Sequence, residues 1–404
     1  MDGIKVEREL ALGEKLSVIN LVDGIIEHAY ARRASDVHME PGAECTHVRL
    51  RIDGRLQDAH AIPHAVSAEV ISRIKILAGL RTDEHQAAQD GRFGATSESG
   101  DTIDIRVSIV PAYYGENIVL RLLADTAEEY TLEALGFSPD NAHKVMQAVR
   151  RPYGMILATG PTGSGKTTTL YTILKKLNTK DVAIVTIEDP IEYAIAGIEQ
   201  IQVNPRTALN FANGLRSILR QDPNIIMVGE IRDAETAGIA VNTALTGHLV
   251  LSTLHTNDAA TTLPRLLDMK IEPYLIASTV NIAIGQRLVR KICRGCKEET
   301  RMSEAEQNSV KEIVPQTFLH TITSLYKGTG CPECNHTGYF GRVGIHEVLV
   351  PDGPIRNALL NKAPASEIRR MATAAGMKPM LEDGLSKVQS GQTTLEEILR
   401  MRYE

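Results

Sequence analysis

Hydrophobic and polar residues alternate differently in the two halves of the chain. In the first half, apolar residues at helical spacing predict an amphipathic helix over Ser17–Arg33 and another over Val66–Leu80. Short alternating runs between and after them predict strands, and Asp53-Gly54 supplies a hairpin turn. We therefore expect residues 1–123 to form a small α+β module, with residues 1–16 as a loosely held lead-in.

The second half contains uniformly apolar runs, which are typical of parallel strands buried on both faces. Four such runs each precede polar, ionisable residues: Met155–Thr159, Val182–Ile187, Ile225–Val228 and Leu249–Thr253. An open parallel α/β sheet binds its ligand at the carboxyl ends of its strands, so we expect the site there. The pattern predicts a RecA-like α/β domain over 138–404, after a polar linker at 124–137. Its last part, 355–404, is predicted to be mainly helical.

A glycine-rich turn follows the first of these strands. It reads Gly160-Pro161-Thr162-Gly163-Ser164-Gly165-Lys166-Thr167, and Thr168 then opens a helical stretch with an apolar face. Strand, turn and helix together predict a phosphate-binding loop, in which backbone N–H groups and the helix N-terminus hold the phosphates. Lys166 would reach the β- and γ-phosphates, and the Thr167 hydroxyl would ligate Mg²⁺. The sequence therefore predicts a nucleoside triphosphate, ATP in the first instance, as ligand.

Acidic residues follow two of the other strands. Glu230 comes after the run 225–228, where a general base would polarise the attacking water. The preceding Gly229 stands where many ATPases have an aspartate that supports Mg²⁺. We therefore expect Glu188 or Asp189, at the end of a neighbouring strand, to support the metal. A helix N-cap or a solvated turn acid is the alternative for Glu188.

Histidines and arginines add candidate phosphate contacts. His255 follows the fourth strand at the same expected edge, which favours a role in sensing the γ-phosphate or the water. His248 lies at the opposite end of that strand, where its position supports such a role less. A forked guanidinium can stabilise charge on a transferring phosphoryl group. The candidates are Arg216, Arg220 and Arg232 in the second half, and Arg106 and Arg121 in the first, which reach a nucleotide only if domains or neighbouring subunits close on it.

Four of the five cysteines form two C-x-x-C pairs. The pairs are Cys293 with Cys296 and Cys331 with Cys334. Thiols stay reduced in a cytoplasmic ATPase, so the pairs favour a structural zinc ion within a subdomain at 292–341. A redox role would need a thioredoxin-like pattern beside one pair, and neither pair has it. Cys45, in a strand region, is expected to be a small core residue.

Composition excludes several classes of protein. The 404 residues suffice for two or three domains, and 43% hydrophobic and 23% charged residues are ordinary for a globular protein. No apolar run approaches the roughly 20 residues that span a bilayer, and no signal-peptide pattern begins the chain. We therefore expect a soluble, cytoplasmic protein that meets a membrane only indirectly. A net charge of −6, 4% aromatic residues and no tryptophan argue against a nucleic-acid translocase, whose grooves are basic and stack bases.

Several stretches beyond the phosphate loop resemble the secretion ATPase superfamily. They are Ala34-Ser35-Asp36-Val37-His38-Met39-Glu40-Pro41, Thr168-Thr169-Leu170-Tyr171, Thr186-Ile187-Glu188-Asp189-Pro190-Ile191-Glu192-Tyr193, Leu219-Arg220-Gln221-Asp222-Pro223, Gly229-Glu230-Ile231-Arg232-Asp233, Thr246-Gly247-His248 and His255-Thr256-Asn257. Together with the two C-x-x-C pairs, they are similar to type IV pilus assembly ATPases and type II secretion ATPases. The resemblance runs from about residue 17 to the end.

This resemblance implies a homohexameric ring motor in which a PAS-like N-terminal domain and a RecA-like domain sandwich ATP. Arg106 and Arg121 match family arginines that contact the phosphates. Glu188 matches the Asp-box glutamate, Glu230 matches the Walker B glutamate, and His248 and His255 match the His box. Hydrolysis would turn an inner-membrane platform protein, at the inner face of the cytoplasmic membrane, and add pilin subunits. Type IV pilus assembly is the main expectation and type II secretion the alternative.

Other readings are less favoured. Pilus retraction ATPases share the core but generally lack the four cysteines. A nucleotide-binding regulator without turnover would not need Glu230.

The chain departs from the family in two respects. It begins after the family's further N-terminal docking domain would end, which suggests a trimmed or short form. In addition, Glu84-His85-Gln86-Ala87-Ala88 replaces an Arg- and Pro-containing run, which puts an arginine contact from this loop in question.

Overall fold

The computed structural model describes residues 3–124, 131–301 and 324–401. It divides the chain into two compact units, Met1–Glu128 and Glu129–Glu404. Several predicted segments fall partly outside the described residues: the linker at 125–130, the zinc subdomain at 302–323 and the tail at 402–404.

The first unit is a six-stranded antiparallel sheet with helices packed on it, in the strand order β3-β2-β1-β6-β5-β4. Its elements are α1 (Gly3–Leu10), α2 (Val18–Ala31), β1 (Ala34–Pro41), β2 (Cys45–Ile52), β3 (Arg55–Pro63), α3 (His64–Leu77), β4 (Gln89–Thr96), β5 (Thr102–Ala112) and β6 (Gly115–Ala124). Asp53 and Gly54 join β2 to β3 with φ of 49° and 86°, the two-residue hairpin geometry that aspartate and glycine favour. The predicted helices and hairpin are thus present.

The expectation of a loosely held N-terminal lead-in is wrong, because α1 packs on α2. Val6 is fully buried and lies against Gly24, where a side chain on α2 would meet it. The Glu9 carboxylate accepts the Ser17 backbone N–H at 2.6 Å, which supplies a partner near the start of α2. The apolar residues of α1 are Ile4, Val6 and Leu10, of which Val6 alone is buried. Such a short pattern gives too little periodicity to predict a helix.

The expectation that Cys45 is a core residue is also wrong. Cys45 is half-buried at the start of β2, with its sulfur 3.7 Å from Nε2 of His47. Successive residues of a strand face opposite sides of the sheet, and here Thr46 and Val48 are the buried ones. Cys45 therefore lies on the other face.

The second unit is built on a seven-stranded sheet in the order β15-β12-β7-β11-β10-β8-β9. Its sheet strands are β7 (Gly154–Thr159), β8 (Ile184–Glu188), β9 (Glu199–Gln202), β10 (Ile225–Val228), β11 (Leu249–Leu254), β12 (Val280–Ile292) and β15 (Tyr339–Leu349), with β13 (Lys297–Thr300) and β14 (Leu325–Gly328) as a separate pair. All neighbours in the sheet are parallel except β12 and β15. The four predicted apolar strands occupy adjacent positions, and β9, β12 and β15 extend the sheet beyond the prediction.

Helices cover both faces of this sheet. They are α4 (Pro139–Val149), α5 (Lys166–Leu177), α6 (Phe211–Ile218), α7 (Ala234–Leu245), α8 (Ala259–Asp268), α9 (Pro273–Thr279), α10 (Gly353–Leu360), α11 (Ala365–Ala374), α12 (Met380–Gln389) and α13 (Leu395–Arg400). Met155 and Leu157 of β7 join the core beneath α6 to α11, whereas Ile156 and Ala158 join the core beneath α4 and α5. This two-sided burial explains why the strands are apolar throughout.

The described end of the predicted linker packs into the second unit. Leu132 and Phe137 are buried, and the Phe137 ring stacks on His346 of β15 with 3.6 Å between ring centroids. The tail is mainly helical as predicted, up to the last described residue, and α12 and α13 pack against β12 and β15. A buried ion pair between Arg290 and Glu397, 2.8 Å long, joins β12 to α13.

Candidate nucleotide site and zinc centre

The phosphate loop leaves the carboxyl end of β7, a fully buried strand between β12 and β11. Gly160, Gly163 and Gly165 have φ of 143°, 78° and 85°, a region that L-residues with side chains rarely enter. α5 then begins at Lys166, so its N-terminal N–H groups and the positive end of its dipole lie at the loop. This is the strand–turn–helix geometry of a phosphate cradle.

Side chains of the loop are arranged for an anionic ligand. Lys166 Nζ donates to the carbonyl oxygens of Gly160 and Pro161, at 2.8 and 3.0 Å. Burial lowers the pKa of Lys166, and the nearby Glu230 carboxylate acts in the opposite direction. Ser164 Oγ is buried and has no hydrogen-bond partner among the described residues. A lysine with displaceable carbonyl partners and an unpaired hydroxyl fit a phosphate group.

The remaining loop candidates are more open to solvent. Pro161, Thr162 and Gly163 are exposed, while Thr167 and Thr168 are half-buried in the first turn of α5. A hydroxyl at the position of Thr167 can take part in a Mg²⁺ coordination shell together with phosphate oxygens.

Glu230 lies beside this loop, and its carboxylate contacts the side chains of Arg232 and His255. One carboxylate oxygen is 2.6 Å from a guanidinium nitrogen of Arg232, and the other is 3.0 Å from His255 Nε2. Glu230 follows β10 and His255 follows β11, which are parallel neighbours in the sheet. The side chain of Glu230 is 10% exposed and that of His255 is 47% exposed. The structure therefore brings Lys166, Glu230, Arg232 and His255 to one edge.

Glu188 is engaged differently. It is buried at the end of β8, and its carboxylate accepts hydrogen bonds from the Tyr171 hydroxyl, from Thr186 Oγ1 at 2.6 Å and from Gln200 Nε2 at 3.1 Å. Burial, with the Glu188 charge as a second cause, raises the pKa of Tyr171. Asp189 is the exposed carboxylate of this pair, and its charge also acts on Arg232. Of the two acids considered for metal support, Asp189 is the one open to a ligand.

Other candidates are not brought into this cluster within the described chain. His248 precedes β11, at the opposite end of that strand from His255, and its Nδ1 is 3.2 Å from the Thr243 carbonyl oxygen. Arg216 pairs with Glu235 at 2.6 Å on the surface of α6, and Arg220 bonds back to Arg216. Their roles in nucleotide binding stay predictions.

Arg106 and Arg121 belong to the first unit, where they are directly opposite each other on β5 and β6. Nε of Arg121 donates to Asp36 at 3.0 Å. Because their Cα positions pair across the two strands, the two arginines are direct cross-strand neighbours on the sheet.

Two buried polar residues around the loop, Thr159 and Gln286, are not among the site residues expected from the sequence. The Thr159 hydroxyl accepts the Thr256 backbone N–H at 3.0 Å and so ties the turn that carries His255 to the strand before the loop. Gln286 of β12 contacts the loop itself. A polar residue inside an apolar run, as in Ile284-Gly285-Gln286, is the signal that could have indicated it.

The four paired cysteines form a second centre, between the end of β12 and the start of β15. Their sulfur atoms all lie within 4.8 Å of one another, with 3.8 Å for Cys293–Cys331, 3.8 Å for Cys296–Cys334 and 3.7 Å for Cys331–Cys334. Tetrahedral zinc with Zn–S bonds of about 2.3 Å requires sulfurs about 3.8 Å apart, whereas a disulfide requires about 2 Å. The backbone N–H groups of Gly330 and Gly338 point at two of the sulfurs, as suits thiolates. The cluster therefore fits one zinc ion.

A phosphate loop at a parallel sheet edge, with a glutamate, a histidine and an arginine converging beside it, defines a phosphate-loop ATPase of the α/β class. The chain belongs to the family described as type II/IV secretion system proteins, whose model matches residues 12–400. This confirms the resemblance seen in the sequence. The chain is accordingly an ATP-hydrolysing enzyme of the secretion ATPase group.

Relatives over nearly the whole chain carry two kinds of name. The type II secretion system protein E of Xanthomonas campestris pv. campestris is 47% identical over 99% of this chain and 70% of its own length. The type IV pilus assembly ATPase PilB of Myxococcus xanthus is 45% identical over 95% of this chain and 67% of its own length.

Solved structures support the fold. The Legionella pneumophila ATPase DotB matches with a TM-score of 0.68 and 26% identity, over 94% of this chain and 95% of DotB. The pilus retraction motor PilT with bound ADP matches with a TM-score of 0.63 and 28% identity, over 94% of this chain and 96% of PilT. The expected α/β fold is thus confirmed.

One further finding concerns membranes. In the described part of the chain, no helix combines the length and the apolar composition that crossing a bilayer requires.

The assignment of zinc to the four-cysteine cluster can be tested against the fifth cysteine. Purified protein should contain about one zinc ion per chain by elemental mass spectrometry, and Cys334→Ser should lose most of it and unfold at lower temperature, because three thiolates close the site poorly. Cys45→Ser removes a thiol outside the cluster and should keep both zinc and stability. Equal zinc in wild type and Cys334→Ser would contradict the assignment.

Proposed function

We propose that this chain is a motor ATPase of type IV pilus assembly, which hydrolyses ATP at the edge formed by residues 160–167, Glu230 and His255. The observation that carries the proposal is the contact of Glu230 with both His255 and Arg232 beside the Lys166 loop. Hydrolysis of a phosphoanhydride requires a phosphate cradle and a group that orients water, and we assign both to this edge.

Each residue has a role in this proposal. The backbone of 160–167, Lys166 and the first turn of α5 hold the phosphates, with Thr167 and Asp189 or Glu188 on the Mg²⁺ side. When bound there, Mg²⁺ would supply positive charge against the charge that develops on the phosphates. Glu230 takes the proton of the attacking water, and His255 orients the Glu230 carboxylate through its 3.0 Å contact. Arg232 holds the Glu230 carboxylate or donates hydrogen bonds to the γ-phosphate.

Glu188 then acts chiefly through its neighbours. Its hydrogen bonds with Tyr171 on α5, Thr186 on β8 and Gln200 on β9 join the phosphate-loop helix to the strand that precedes Asp189. We assign Glu188 to that junction within the resting chain, and contact with metal-bound water would require this network to open.

Further contacts come from other parts of an assembly. We infer a homohexamer in which Arg106 and Arg121 reach phosphates, and in which His248, Arg216 and Arg220 face neighbouring subunits. The family resemblance and the paired position of Arg106 and Arg121 on β5 and β6 support this inference. An inner-membrane platform protein would receive the motion, at the cytoplasmic face of the membrane. The zinc centre would hold the β12–β15 region rigid while the ring moves.

Type II secretion is the alternative function. Relatives such as the Xanthomonas campestris protein, at 47% identity, carry a type II secretion name. Both functions use the same hydrolytic site, so the site proposal does not depend on the choice.

The general base is tested by Glu230→Gln. This variant should lose ATP hydrolysis by about 100-fold or more, because an amide cannot accept the proton of water, while ADP binding stays nearly unchanged. Glu272→Gln, at an exposed acid before α9, makes the same chemical change away from the edge and should hydrolyse normally. A Glu230→Gln protein that hydrolyses ATP like wild type would remove Glu230 from this role.

The cellular process is tested by deleting the gene in its own host. Surface pili should disappear in electron micrographs while exported enzymes still reach the medium. A copy carrying Lys166→Ala should fail to restore pili, because the phosphate contact is lost, whereas Cys45→Ser should restore them. Normal pili with exported proteins retained in the cells would contradict pilus assembly and favour type II secretion.

A further inference from the structure

Gln286 is a buried polar residue in the apolar strand β12, 2% exposed to solvent. Its amide makes two hydrogen bonds to the phosphate-loop region. Nε2 donates to the carbonyl oxygen of Ser164 at 2.7 Å, and Oε1 accepts from Thr169 Oγ1 at 2.8 Å. The two partners fix which end of the amide is nitrogen, because one accepts and the other is a hydroxyl that can donate. Gln286 thereby joins the loop to the first turns of α5.

Gln286 also packs against two glycines of the loop, one through its backbone and one through its side chain. A Cβ atom on Gly160 would lie 2.2 Å from the Gln286 carbonyl oxygen, and a Cβ atom on Gly165 would lie 2.9 Å from Nε2. Both distances are shorter than a non-bonded contact allows. Two glycines of the loop are therefore packed directly against one residue of the neighbouring strand.

The hydrogen bond to Ser164 has a consequence for phosphate binding. In a planar trans peptide the carbonyl and the following N–H point in opposite directions. Since Gln286 holds the Ser164 carbonyl toward β12, the N–H of Gly165 must point away from β12. Backbone N–H groups at this part of the loop are the donors that a phosphate uses.

We propose that Gln286 is a positioning residue for nucleotide binding, which fixes the phosphate loop by holding the Ser164 carbonyl and the Thr169 hydroxyl. Gln286 acts through the loop and not by touching the phosphates. The inference rests on the proposed nucleotide site at residues 160–167.

The test is the affinity of the full chain for Mg²⁺ and fluorescent N-methylanthraniloyl ADP. Gln286→Met keeps the length and burial of the side chain and removes both hydrogen bonds. We expect ADP to bind about tenfold more weakly, because the loop amides are no longer held and binding must order them. The KM for ATP should rise by more than kcat falls. Unchanged affinity would overturn the proposal.

Asn281 provides a matched control on the same strand. It is 4% exposed, donates to the Tyr153 carbonyl at 2.8 Å, accepts from Arg151 at 3.0 Å and packs against Gly154. Asn281→Leu therefore removes two hydrogen bonds and disturbs a glycine contact far from the loop. It should lower the melting temperature about as much as Gln286→Met without weakening ADP binding. Equal weakening by both variants would show a general loss of stability and overturn a specific role.

Variants of Thr169 test the same proposal independently, in case Gln286→Met does not fold. Thr169→Val keeps the shape but removes the hydroxyl that Gln286 accepts from, and should weaken ADP binding, while Thr169→Ser keeps the hydroxyl and should restore it. Valine and serine variants with equal affinity would contradict the proposal. Lys166→Ala distinguishes failure of the proposed nucleotide site from failure of the positioning role. If Lys166→Ala binds ADP like wild type, the nucleotide site itself is wrong. If Lys166→Ala loses ADP while Gln286→Met binds it normally, only the positioning role fails.

Discussion

The phosphate loop packs directly against strand β12, and the rest of the candidate site depends on this contact. Gly160 and Gly165 approach Gln286 so closely that side chains at either position would overlap it. The loop is thereby placed against a buried strand at these two glycines, while residues 161–163 between them are exposed. Lys166 and the N-terminus of α5 follow directly, so their positions depend on this packing. The glycines of the motif therefore serve contact with the sheet as well as turning of the chain.

The rest of the site depends on the order of parallel strands. β7, β11 and β10 are neighbours, although β11 and β10 come much later in the chain than β7. Each ends at the same edge, which places Lys166, His255 and Glu230 side by side. Helices bury both faces of the strands, so polar side chains at the strand ends are the ones that can meet a ligand. Thr159 strengthens the edge by binding the turn that follows β11.

How much the sequence predicts differs between local and distant features. The phosphate loop, the apolar strands and the cysteine pairs are local patterns, and each was predicted from neighbouring residues. Glu188 faces Tyr171 and Gln200 instead of solvent, which depends on how α5 and β9 pack and leaves no trace in the residues around it. Cys45 was misplaced because the face of a strand that is buried is set by the helices packed on it. Helix α1 was missed because its single buried residue, Val6, depends on the distant Gly24.

The two units of the chain supply different candidate groups: the second carries the phosphate loop and Glu230, the first carries Arg106 and Arg121. If arginines from the first unit of a neighbouring chain complete the site, as proposed, hydrolysis must depend on assembly. The direct measurement is ATP hydrolysis per chain against protein concentration, with the molar mass of the same samples from light scattering. We expect activity per chain to rise as the mass passes from monomer to hexamer. Full activity at every concentration in a strictly monomeric protein would contradict the proposed ring motor.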